Sequence, residues 1–412
     1  MDNLSHSVVG LAVGEFIHRS MSPEPNPEQQ SVRKRLLLIS CWLASNFPDL
    51  DLLLTHLLPA PLGYLLHHRG HTHTFLYTLP QALLIWILIW LLWPTARRLL
   101  QDSTTARKSL ALSLGCGLGL HILMDYLNSY GVHPFYPYDS RWFFGDMIFI
   151  VEPLFWISFG VPMAMLIRRQ WLKIIVIAGL MGSLIFFTAK EFLPWASLVL
   201  LITVAFVLIR IQYKADARDR SALILAAIIS IGFVGVQNMA SNRAKFEVAQ
   251  SMKSKDSASR ILDLAMTPFP TNPFCWSFVS IESNESAGTY RLRRGALSLA
   301  PTFMRVNECP APFFQAVALT DATSAMVFSY EYVGDLKQLR ELKQTNCHFE
   351  AWLRFVRAPL LNQTYASDLR FTASARGNFT TINLDEFKDR ECSRNIPKWD
   401  FPRADLLSSV AR

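Results

Sequence analysis

Long apolar runs alternate with short polar segments over the first 240 residues of the chain. A helix needs about 20 mostly apolar residues to cross the ~30 Å hydrocarbon core of a bilayer. Five runs meet this length, and three others are short or interrupted by polar groups. The pattern therefore predicts about eight membrane segments, of which the three weaker are residues 5–18, 36–47 and 110–127 and the five stronger are residues 75–93, 147–167, 172–189, 195–211 and 221–239.

The pattern changes after about residue 240, where short apolar stretches are separated by Gly, Asn, Ser and Pro. Such stretches are typical of β-strands joined by turns, and residues 334–344 interrupt them with helical periodicity. The predicted fold class is a polytopic α-helical membrane protein with a C-terminal β-rich (α+β) domain. We expect a membrane-embedded helical domain at residues 1–160, additional transmembrane helices at residues 161–240 and the β-rich domain at residues 241–412.

The content of charged residues supports this fold class, and their distribution predicts how the chain is oriented in the membrane. Charged residues make up 17% of the chain, against about 25% in soluble proteins. Cytoplasmic loops of membrane proteins are enriched in Lys and Arg. Before residue 240, three basic residues lie on one side of the predicted segments, and fifteen on the other: Arg19, Arg33, Lys34, Arg35, Arg97, Arg98, Arg107, Lys108, Arg168, Arg169, Lys173, Arg210, Lys214, Arg218 and Arg220.

This asymmetry predicts a multi-pass protein of the bacterial inner membrane with an extracytoplasmic C-terminal domain. The formal net charge of +8 does not indicate a nucleic-acid partner, because the basic residues form short clusters between apolar runs, as membrane topology requires. The start of the chain lacks the basic region of a cleavable signal peptide, so we expect the N-terminus to be retained.

Four cysteines, Cys275, Cys309, Cys347 and Cys392, lie in the C-terminal region. In an oxidising compartment they would form up to two disulfides, with three possible pairings. In a reducing compartment they would remain thiols. The other two cysteines lie in apolar stretches and are expected to be buried thiols.

Metal-binding side chains are concentrated in the first third of the chain. Histidine and carboxylate together are the ligand set of zinc and related divalent metals. The predicted orientation places their clusters on one side of the membrane. Nine of the ten histidines lie in this part: His6, His18, His56, His67, His68, His71, His73, His121 and His133.

Two of these histidines are paired with an aspartate at helical spacing. His121 and Asp125 are four residues apart, as are Asp2 and His6, so each pair projects from one helix face. A hydrogen-bonded core histidine and a helix-end carboxylate would explain a single pair equally well. Both pairs lie at ends of apolar segments that face the same side, and this favours ligands of one site.

Two further polar stretches fall on the same side. In NFPDLD, Asp49 and Asp51 follow an apolar helix; one of them could cap the next helix, but ligand use also accounts for the second. HHRGHTH contains four histidines that cannot all bind one ion, with Gly70 indicating a turn or a close backbone approach. Arg69 offers a fork of donors for a phosphate or carboxylate. The alternative is a solvated polar cap on the following helix.

Several motifs together resemble a known family. The sequence contains MDNLSH, LASNFPDLDLLL, HHRGHTHT, GLHILMDYLNSYGVHPFYP with FGDMIFIVEP, and TPFPTNPFCW. In this order they resemble the predicted membrane-bound, metal-dependent hydrolases of bacterial inner membranes, one branch of which is described as LexA-binding. The resemblance covers roughly residues 1–160 and, weakly, the C-terminal domain. The family pattern H-R-G-x-T-H implies that His68 and His73 are ligands and that His67 and His71 are not.

The chain is more distantly similar to zinc-dependent phospholipases C and P1-type nucleases. The order of ligands in those helical enzymes corresponds here to His6, Asp49, His73, His121 with Asp125, and His133. A second H-x-x-x-E/D pair and the N-terminal tryptophan of those enzymes are missing from this sequence. The similarity therefore implies one or two zinc ions rather than three.

These observations lead to a specific site hypothesis. The predicted metal ligands are His6, Asp49, His68, His73, His121 and Asp125, with Asp2, Asp51 and His133 as further candidates. Arg69 or Arg141 would neutralise a substrate anion. Asp146 and Glu152 match family positions and could serve as a ligand, a partner of a ligand histidine or a general base; helix-entry structure explains them equally well.

The predicted function is hydrolysis by a metal-activated water at the outer face of the membrane. A divalent metal, most simply zinc, polarises the scissile group and lowers the pKa of bound water to about 7. The location favours a phosphoester or lipid-linked substrate, with the lipid bilayer as the other partner. The alternatives are a non-catalytic metal sensor or transporter, and a scaffold with a structural metal. A nucleotide-binding loop, a serine nucleophile elbow and a dinucleotide-binding fingerprint are missing from the sequence.

Overall fold

The computed structural model describes residues 1–216, 218–310, 323–372, 377–388 and 390–408. A helix occupies each of the eight predicted membrane segments. They are α1 (Asn3–Ser20), α2 (Pro27–Ala44), α4 (Phe75–Leu92), α6 (Thr104–Tyr126), α7 (Pro153–Met165), α8 (Gln170–Ala189), α9 (Trp195–Lys214) and α10 (Ser221–Lys255). Between them lie two short helices, α3 (Leu62–His67) and α5 (Pro94–Asp102).

Six helical stretches in the described part of the chain are long and apolar enough to cross a membrane. They are α2 together with the following 3₁₀ segment, α4, α6, α8, α9 and α10. Helix α7 is shorter, with 13 residues, and α1 is not among the six. The protein is therefore a polytopic α-helical membrane protein, as predicted, and the two remaining helices pack within the bundle.

In the segment predicted at residues 147–167, the helix begins several residues after the start of the apolar run. Residues 147–152 are irregular, and α7 begins at Pro153 with Glu152 as its N-cap. Proline is favoured in the first helical turn because its missing N–H would be unpaired there anyway. The cap carboxylate accepts a hydrogen bond from the backbone N of Leu154 at 3.2 Å.

A compact connection joins α2 to α4 and contains three of the six predicted ligands, together with the further candidate Asp51. It consists of a 3₁₀ segment, Phe47–Leu57, then α3, then a 3₁₀ turn, His71–His73. Arg69 has a φ of 61°, and a Cβ on Gly70 would lie 2.8 Å from the carbonyl oxygen of His67. The close backbone approach predicted at Gly70 is confirmed. It folds the histidine motif back over the two aspartates of the 3₁₀ segment.

The C-terminal domain contains two antiparallel sheets. The first has the order β1-β2-β3-β4 and the second the order β5-β6-β7. The strands are β1 (Arg260–Phe269), β2 (Asn272–Asn284), β3 (Thr289–Ser298), β4 (Met326–Asp335), β5 (Pro359–Leu361), β6 (Tyr365–Asp368) and β7 (Ile382–Asn383). The predicted helix at residues 334–344 is α11 (Leu336–Thr345). Two short helices were not predicted, α12 (Cys347–Leu353) and α13 (Ala404–Leu407).

Both expected disulfides are present, and the structure selects one of the three pairings. Cys275 is bonded to Cys309, and Cys347 to Cys392. The remaining cysteines are free thiols, one of them buried and the other partly buried.

The C-terminal domain and the helical bundle share apolar packing. The largest buried cluster contains Leu62 and Leu66 of α3 together with Phe355 and Trp399 of the C-terminal domain. Trp142, in the loop between α6 and α7, donates a hydrogen bond to the carbonyl oxygen of Arg354 at 2.8 Å. The end of the bundle that carries the predicted ligands is therefore covered by the C-terminal domain.

Candidate metal centre

Four predicted ligands converge at this end of the bundle. Asp49, His73, His121 and Asp125 each offer a ligand atom, and these atoms lie within 4.8 Å of one another. The Nε2 atoms of His73 and His121 are 3.0 Å apart. His73 Nε2 is also 3.2 Å from Asp125 Oδ2 and 3.4 Å from Asp49 Oδ1. The donor atoms of two imidazoles and two carboxylates thus face a common point, an arrangement that a cation stabilises.

The orientation of His121 suits metal binding. Its Nδ1 lies 2.8 Å from the carbonyl oxygen of Ser45. A carbonyl can only accept, so Nδ1 carries the proton and Nε2 presents its lone pair to the cluster. Metal-binding histidines commonly donate their other N–H to a carbonyl or carboxylate in this way.

A second group of ligand atoms shares Asp49 with the first. Asp49, Asp51 and His68 form this group, and His68 Nδ1 is 3.1 Å from Asp51 Oδ1. Asp51 also lies 3.1 Å from His73 Nδ1, so it contacts a histidine of each group. The further candidate Asp51 is therefore brought into the site, and Asp49 lies where two ions would meet.

His6 forms one wall of the first group. Its ring stacks on His121 with 4.0 Å between the centroids, and its Nε2 is 3.4 Å from Asp125 Oδ1. The side chain is fully buried, and neither ring nitrogen forms a hydrogen bond with any described residue. His6 is thus adjacent to the first group, although it is not counted within it.

The electrostatic environment favours positive charge. Burial alone would lower the pKa of His73, but hydrogen bonds to Asp125, Asp49 and Asp51 raise it well above its ordinary value. The same three carboxylates would also stabilise a metal cation bound at this point.

Arg69 borders the first group and is already engaged with it. Its guanidinium contacts Asp125 Oδ1 at 2.9 Å and Asn128 Oδ1 at 3.1 Å, and it stacks 4.4 Å above the ring of Tyr130. The α-amino group of Met1 contacts the same Asp125 oxygen. The structure thus shows Arg69 holding a predicted ligand; substrate contact by Arg69 stays a prediction.

Asp146, predicted as a possible catalytic group, lies in a different environment. Its two carboxylate oxygens accept hydrogen bonds from Arg357 at 2.7 and 2.9 Å, and Lys245 contacts it at 2.9 Å. Asp146 is not a member of either group of ligand atoms. Its described contacts attach the loop after α6 to the C-terminal domain, which is a structural role.

The described contacts of Glu152 also lie away from the two groups of ligand atoms. Both of its carboxylate oxygens lie 3.1 Å from the backbone N of Thr271, and one accepts a hydrogen bond from the hydroxyl of Thr271 at 2.5 Å. Thr271 is at the turn between β1 and β2, with a φ of 48°. Glu152 therefore caps α7 and fastens this turn to the bundle, and no contact with the metal cluster supports a catalytic role.

Two further candidate ligands also lie outside both groups. Asp2 caps α1 by accepting hydrogen bonds from the backbone N and hydroxyl of Ser5. His133 is fully buried against Trp142 and Trp399, with ring centroids 4.7 and 4.4 Å away. Burial lowers the pKa of His133 to about 3, so the imidazole is neutral.

The structure also shows the surroundings of His67, His71 and Arg141. His67 and His71 belong to neither group of ligand atoms, as the family pattern implies. His71 instead packs against Tyr77 and Trp399. Arg141 is mostly exposed and pairs with Asp139 at 2.7 Å, so its described contact offers no support for substrate binding.

Sequence reasoning did not single out several residues that hold the site together. The hydroxyl of Thr72 donates to Asp51 Oδ2 at 2.6 Å, and its place in H-R-G-x-T-H was a usable signal. Asn128 follows the α6 pair by three residues and had no such signal. Ser45 contributes only a backbone carbonyl, which a sequence pattern does not reveal.

Comparison with known proteins agrees with this placement of the site. A model of the YdjM inner membrane protein family matches residues 1–214, just over half of the chain. The chain is also similar to the uncharacterized protein YfhP of Bacillus subtilis (strain 168), with 26% identity over 158 residues. This match covers 38% of the chain and 44% of the relative, so the chain spans less than half the length of that curated relative.

No solved structure matches the chain. The family model includes both groups of ligand atoms, from Asp49 to Asp125. It also confirms the resemblance to inner-membrane proteins that the motifs indicated. The chain belongs to the YdjM inner membrane protein family.

Proposed function

We propose that this protein is a membrane-bound, metal-dependent hydrolase that cleaves a phosphoester, including one carried by a lipid. The observation that carries the proposal is the convergence of Asp49, His73, His121 and Asp125, whose ligand atoms lie within 4.8 Å of one another. In the reaction a water oxygen bonds to phosphorus, the ester P–O bond breaks and the leaving oxygen takes a proton.

The donor set fits a divalent metal, with zinc the simplest choice. Imidazole nitrogen and carboxylate oxygen are ligands that zinc accepts. The side chains of His73, His121 and Asp125 are buried, and that of Asp49 is only 10% exposed. Arg69 and the α-amino group of Met1 contact only Asp125 in this cluster, and a metal ion would add positive charge next to Asp49 as well. A metal there would lower the pKa of its bound water to about 7 and polarise the phosphoryl oxygen.

The surrounding residues have separate tasks in this proposal. Asp49 belongs to both groups, so it would bridge two ions if both are present. Asp51 orients His68 and His73, and Arg69 holds Asp125. His68, with a side chain 13% exposed, lies on the more accessible side of the cluster, where substrate and water would enter.

The proposed location is the outer face of the bacterial inner membrane. The excess of basic residues on the opposite connections supports this orientation provided that all eight helices cross the membrane. The two disulfides of the C-terminal domain support it independently, since disulfides persist in oxidising compartments. Reporter fusions after residue 245 test the orientation. Activity there of a reporter that works only in the cytoplasm would contradict it.

Metal analysis and hydrolysis assays on the purified full chain test the function. The parent protein should hold one or two equivalents of zinc and hydrolyse members of a panel containing a p-nitrophenyl phosphomonoester, a phosphodiester and a lipid phosphoester. His73→Ala should lose metal and activity together. His56→Ala is the matched control, because His56 lies in the same connection but in neither group of ligand atoms.

The same measurements separate the rival functions. Metal binding without hydrolysis of any member of the panel would favour a sensor or a scaffold with a structural metal. Transport is disfavoured because the metal-binding groups found among the described residues lie at one end of the bundle. Failure of the parent protein to bind any divalent metal would refute the proposal.

A further inference from the structure

One end of the helical bundle is held together by charged side chains. Arg19 at the end of α1 donates a hydrogen bond to the carbonyl oxygen of Asp219, just before α10. Glu24, in the loop before α2, accepts hydrogen bonds from Arg33 of α2 at 2.9 Å and from Ser103, the N-cap of α6, at 3.1 Å. Clusters of basic residues mark a membrane surface, so these four helices leave the membrane at one common level.

The predicted metal ligands lie less than one membrane thickness above this level. On α1, His6 precedes Arg19 by 13 residues, and on α6, His121 follows Lys108 by 13 residues. At 1.5 Å per residue, each ligand is about 20 Å above the last basic residue of its helix. The hydrocarbon core is ~30 Å thick, and any tilt of a helix lowers the ligand further. Both ligands therefore lie about 10 Å below the opposite surface of the core.

Helix α10 gives the same level independently. Its apolar run starts after Arg220 and ends at Met239, 19 residues later, which is about 29 Å and nearly the full thickness of the core. Val234 of this helix packs against the buried cluster that contains Leu127, at the end of α6. Val234 precedes Met239 by five residues, or about 8 Å. The end of α6, which carries Asp125, is therefore below the level at which α10 leaves the core.

The 3₁₀ segment Phe47–Leu57 presents a row of exposed leucines, although it also supplies two carboxylates to the site. We call this row the leucine ridge; its members are between 41% and 74% exposed, and they are Leu50, Leu52, Leu53, Leu54 and Leu57. Apolar surface of this kind is unusual in contact with water. The segment and α2 form one continuous stretch of 31 residues that is apolar enough to cross a membrane. After its last basic residue, Arg35, α2 continues for only nine residues, about 14 Å, so the segment is needed to complete the crossing.

The C-terminal domain covers the site from the side that faces water. Phe355 packs against Tyr130, five residues beyond Asp125, with 4.9 Å between the ring centroids. In the two groups of ligand atoms, the side chains that keep the most exposure are Asp49, with 10%, and His68, with 13%. Asp49 belongs to the 3₁₀ segment, so part of the remaining exposure adjoins the leucine ridge.

We infer that the predicted metal site lies within one leaflet of the membrane, below the lipid headgroups, with the leucine ridge against acyl chains. This position assigns a substrate class, the phosphoester of a membrane lipid that reaches the site from the bilayer, rather than a soluble phosphoester. The position follows from the helices alone, whereas the substrate class rests on the proposed function. With phosphatidic acid, a water oxygen bonds to phosphorus, the P–O bond to glycerol breaks, and the products are diacylglycerol and inorganic phosphate.

A nitroxide label on the leucine ridge tests the position in the full chain. The label is attached to Leu53→Cys in a background with Cys41→Ala and Cys116→Ala, which removes the free thiols and keeps both disulfides. In vesicles of phosphatidylethanolamine and phosphatidylglycerol, oxygen concentrates in the hydrocarbon and a nickel chelate stays in the water. We expect the label at residue 53 to collide more often with oxygen than with the chelate. The opposite ratio would overturn the inference.

Two further labelled positions calibrate this measurement. Ile231→Cys lies within the apolar run of α10, at a residue that is 72% exposed, and should report hydrocarbon. Ser286→Cys lies in the exposed turn between β2 and β3 and should report water. Leu57→Cys is a second position on the ridge and decides the question if Leu53→Cys does not fold. The metal content of every labelled variant should match that of the parent.

A comparison of two substrates tests the substrate class. Vesicles that contain dioleoyl phosphatidic acid and the soluble ester p-nitrophenyl phosphate are offered separately to the parent protein and to His73→Ala. We expect the parent to cleave the lipid and to cleave the soluble ester no faster than His73→Ala does. Faster cleavage of the soluble ester would support a hydrolase but overturn the assignment to lipids. If the parent cleaves neither compound, the hydrolase proposal fails, and the label at residue 53 still decides the position of the site.

Discussion

Replacing Arg357 by methionine should detach the C-terminal domain from the bundle. Arg357 donates to Asp146 at 2.7 and 2.9 Å and to Asp263 at 2.6 and 3.0 Å. The side chain is 3% exposed and that of Asp146 is fully buried. Burial alone would lower the pKa of Arg357, but Asp146 and Asp263 raise it above its ordinary value, so the guanidinium stays charged.

The expected loss follows from the charges that the substitution leaves behind. Arg357→Met leaves the buried carboxylate of Asp146 with Lys245 as its described ionic partner. Removing one member of a buried ion pair costs about 3–5 kcal/mol. For a unit of the size of the C-terminal domain, each kcal/mol lowers the midpoint of thermal unfolding by about 2–4 °C. The midpoint should therefore fall by roughly 6–20 °C.

Tryptophan fluorescence during heating measures this midpoint in detergent, and limited proteolysis reports detachment of the domain. Arg390→Met is the control, since Arg390 is 50% exposed and its contact with Glu386 is 3.6 Å long. Adding Asp146→Asn to Arg357→Met should recover part of the loss, because the isolated buried charge is then gone. A change of less than 2 °C in Arg357→Met would refute this reasoning. Loss of metal from Asp146→Asn alone would place Asp146 in the catalytic site after all.

Three further predictions concern the metal bridge, the disulfides and pH. Asp49→Asn should lower the content of every bound metal ion, whereas His68→Ala should lower only the metal bound by the second group. If elemental analysis finds the same loss of metal in both variants, Asp49 is not a shared ligand. Replacing Cys275 and Cys309 by alanine should destabilise the domain by about 4 kcal/mol, since the bond closes a loop of 34 residues; an unchanged thermal midpoint would contradict this. Burial alone would raise the pKa of Asp263, but Arg357 and Arg403 lower it well below its ordinary value. The stability it contributes is therefore complete above about pH 4 and is lost as the pH falls further, so acid unfolding of Asp263→Asn should depend less on pH in that range.

Local patterns in the sequence predicted most of the candidate metal site. The spacing of His121 and Asp125 places both on one helix face whatever the rest of the fold does, so the sequence alone predicted the geometry of this pair. Apolar runs also located the eight helices of the bundle, although only six helical stretches of the described chain have the length and apolar character that crossing a membrane requires. The role of Asp51 was harder to predict, since a carboxylate after a proline is equally suited to capping a helix.

Contacts between distant parts of the chain could not be predicted in this way. Asp146 and Glu152 were candidates because they match positions of the resembled family, yet their partners, Arg357 and Thr271, lie 211 and 119 residues further along the chain. A single sequence contains no signal for such pairing.

The family match ends at residue 214, but the candidate metal site has supporting contacts from the chain beyond that point. The ring of Tyr130 supports Arg69 on one side and packs against Phe355 of the C-terminal domain on the other, with 4.9 Å between the ring centroids. Arg69 in turn fixes Asp125. Through these contacts, we expect a displacement of the C-terminal domain to alter the position of the predicted ligand Asp125. The membrane part supplies the predicted ligands, and the C-terminal domain supplies part of the support for one of them.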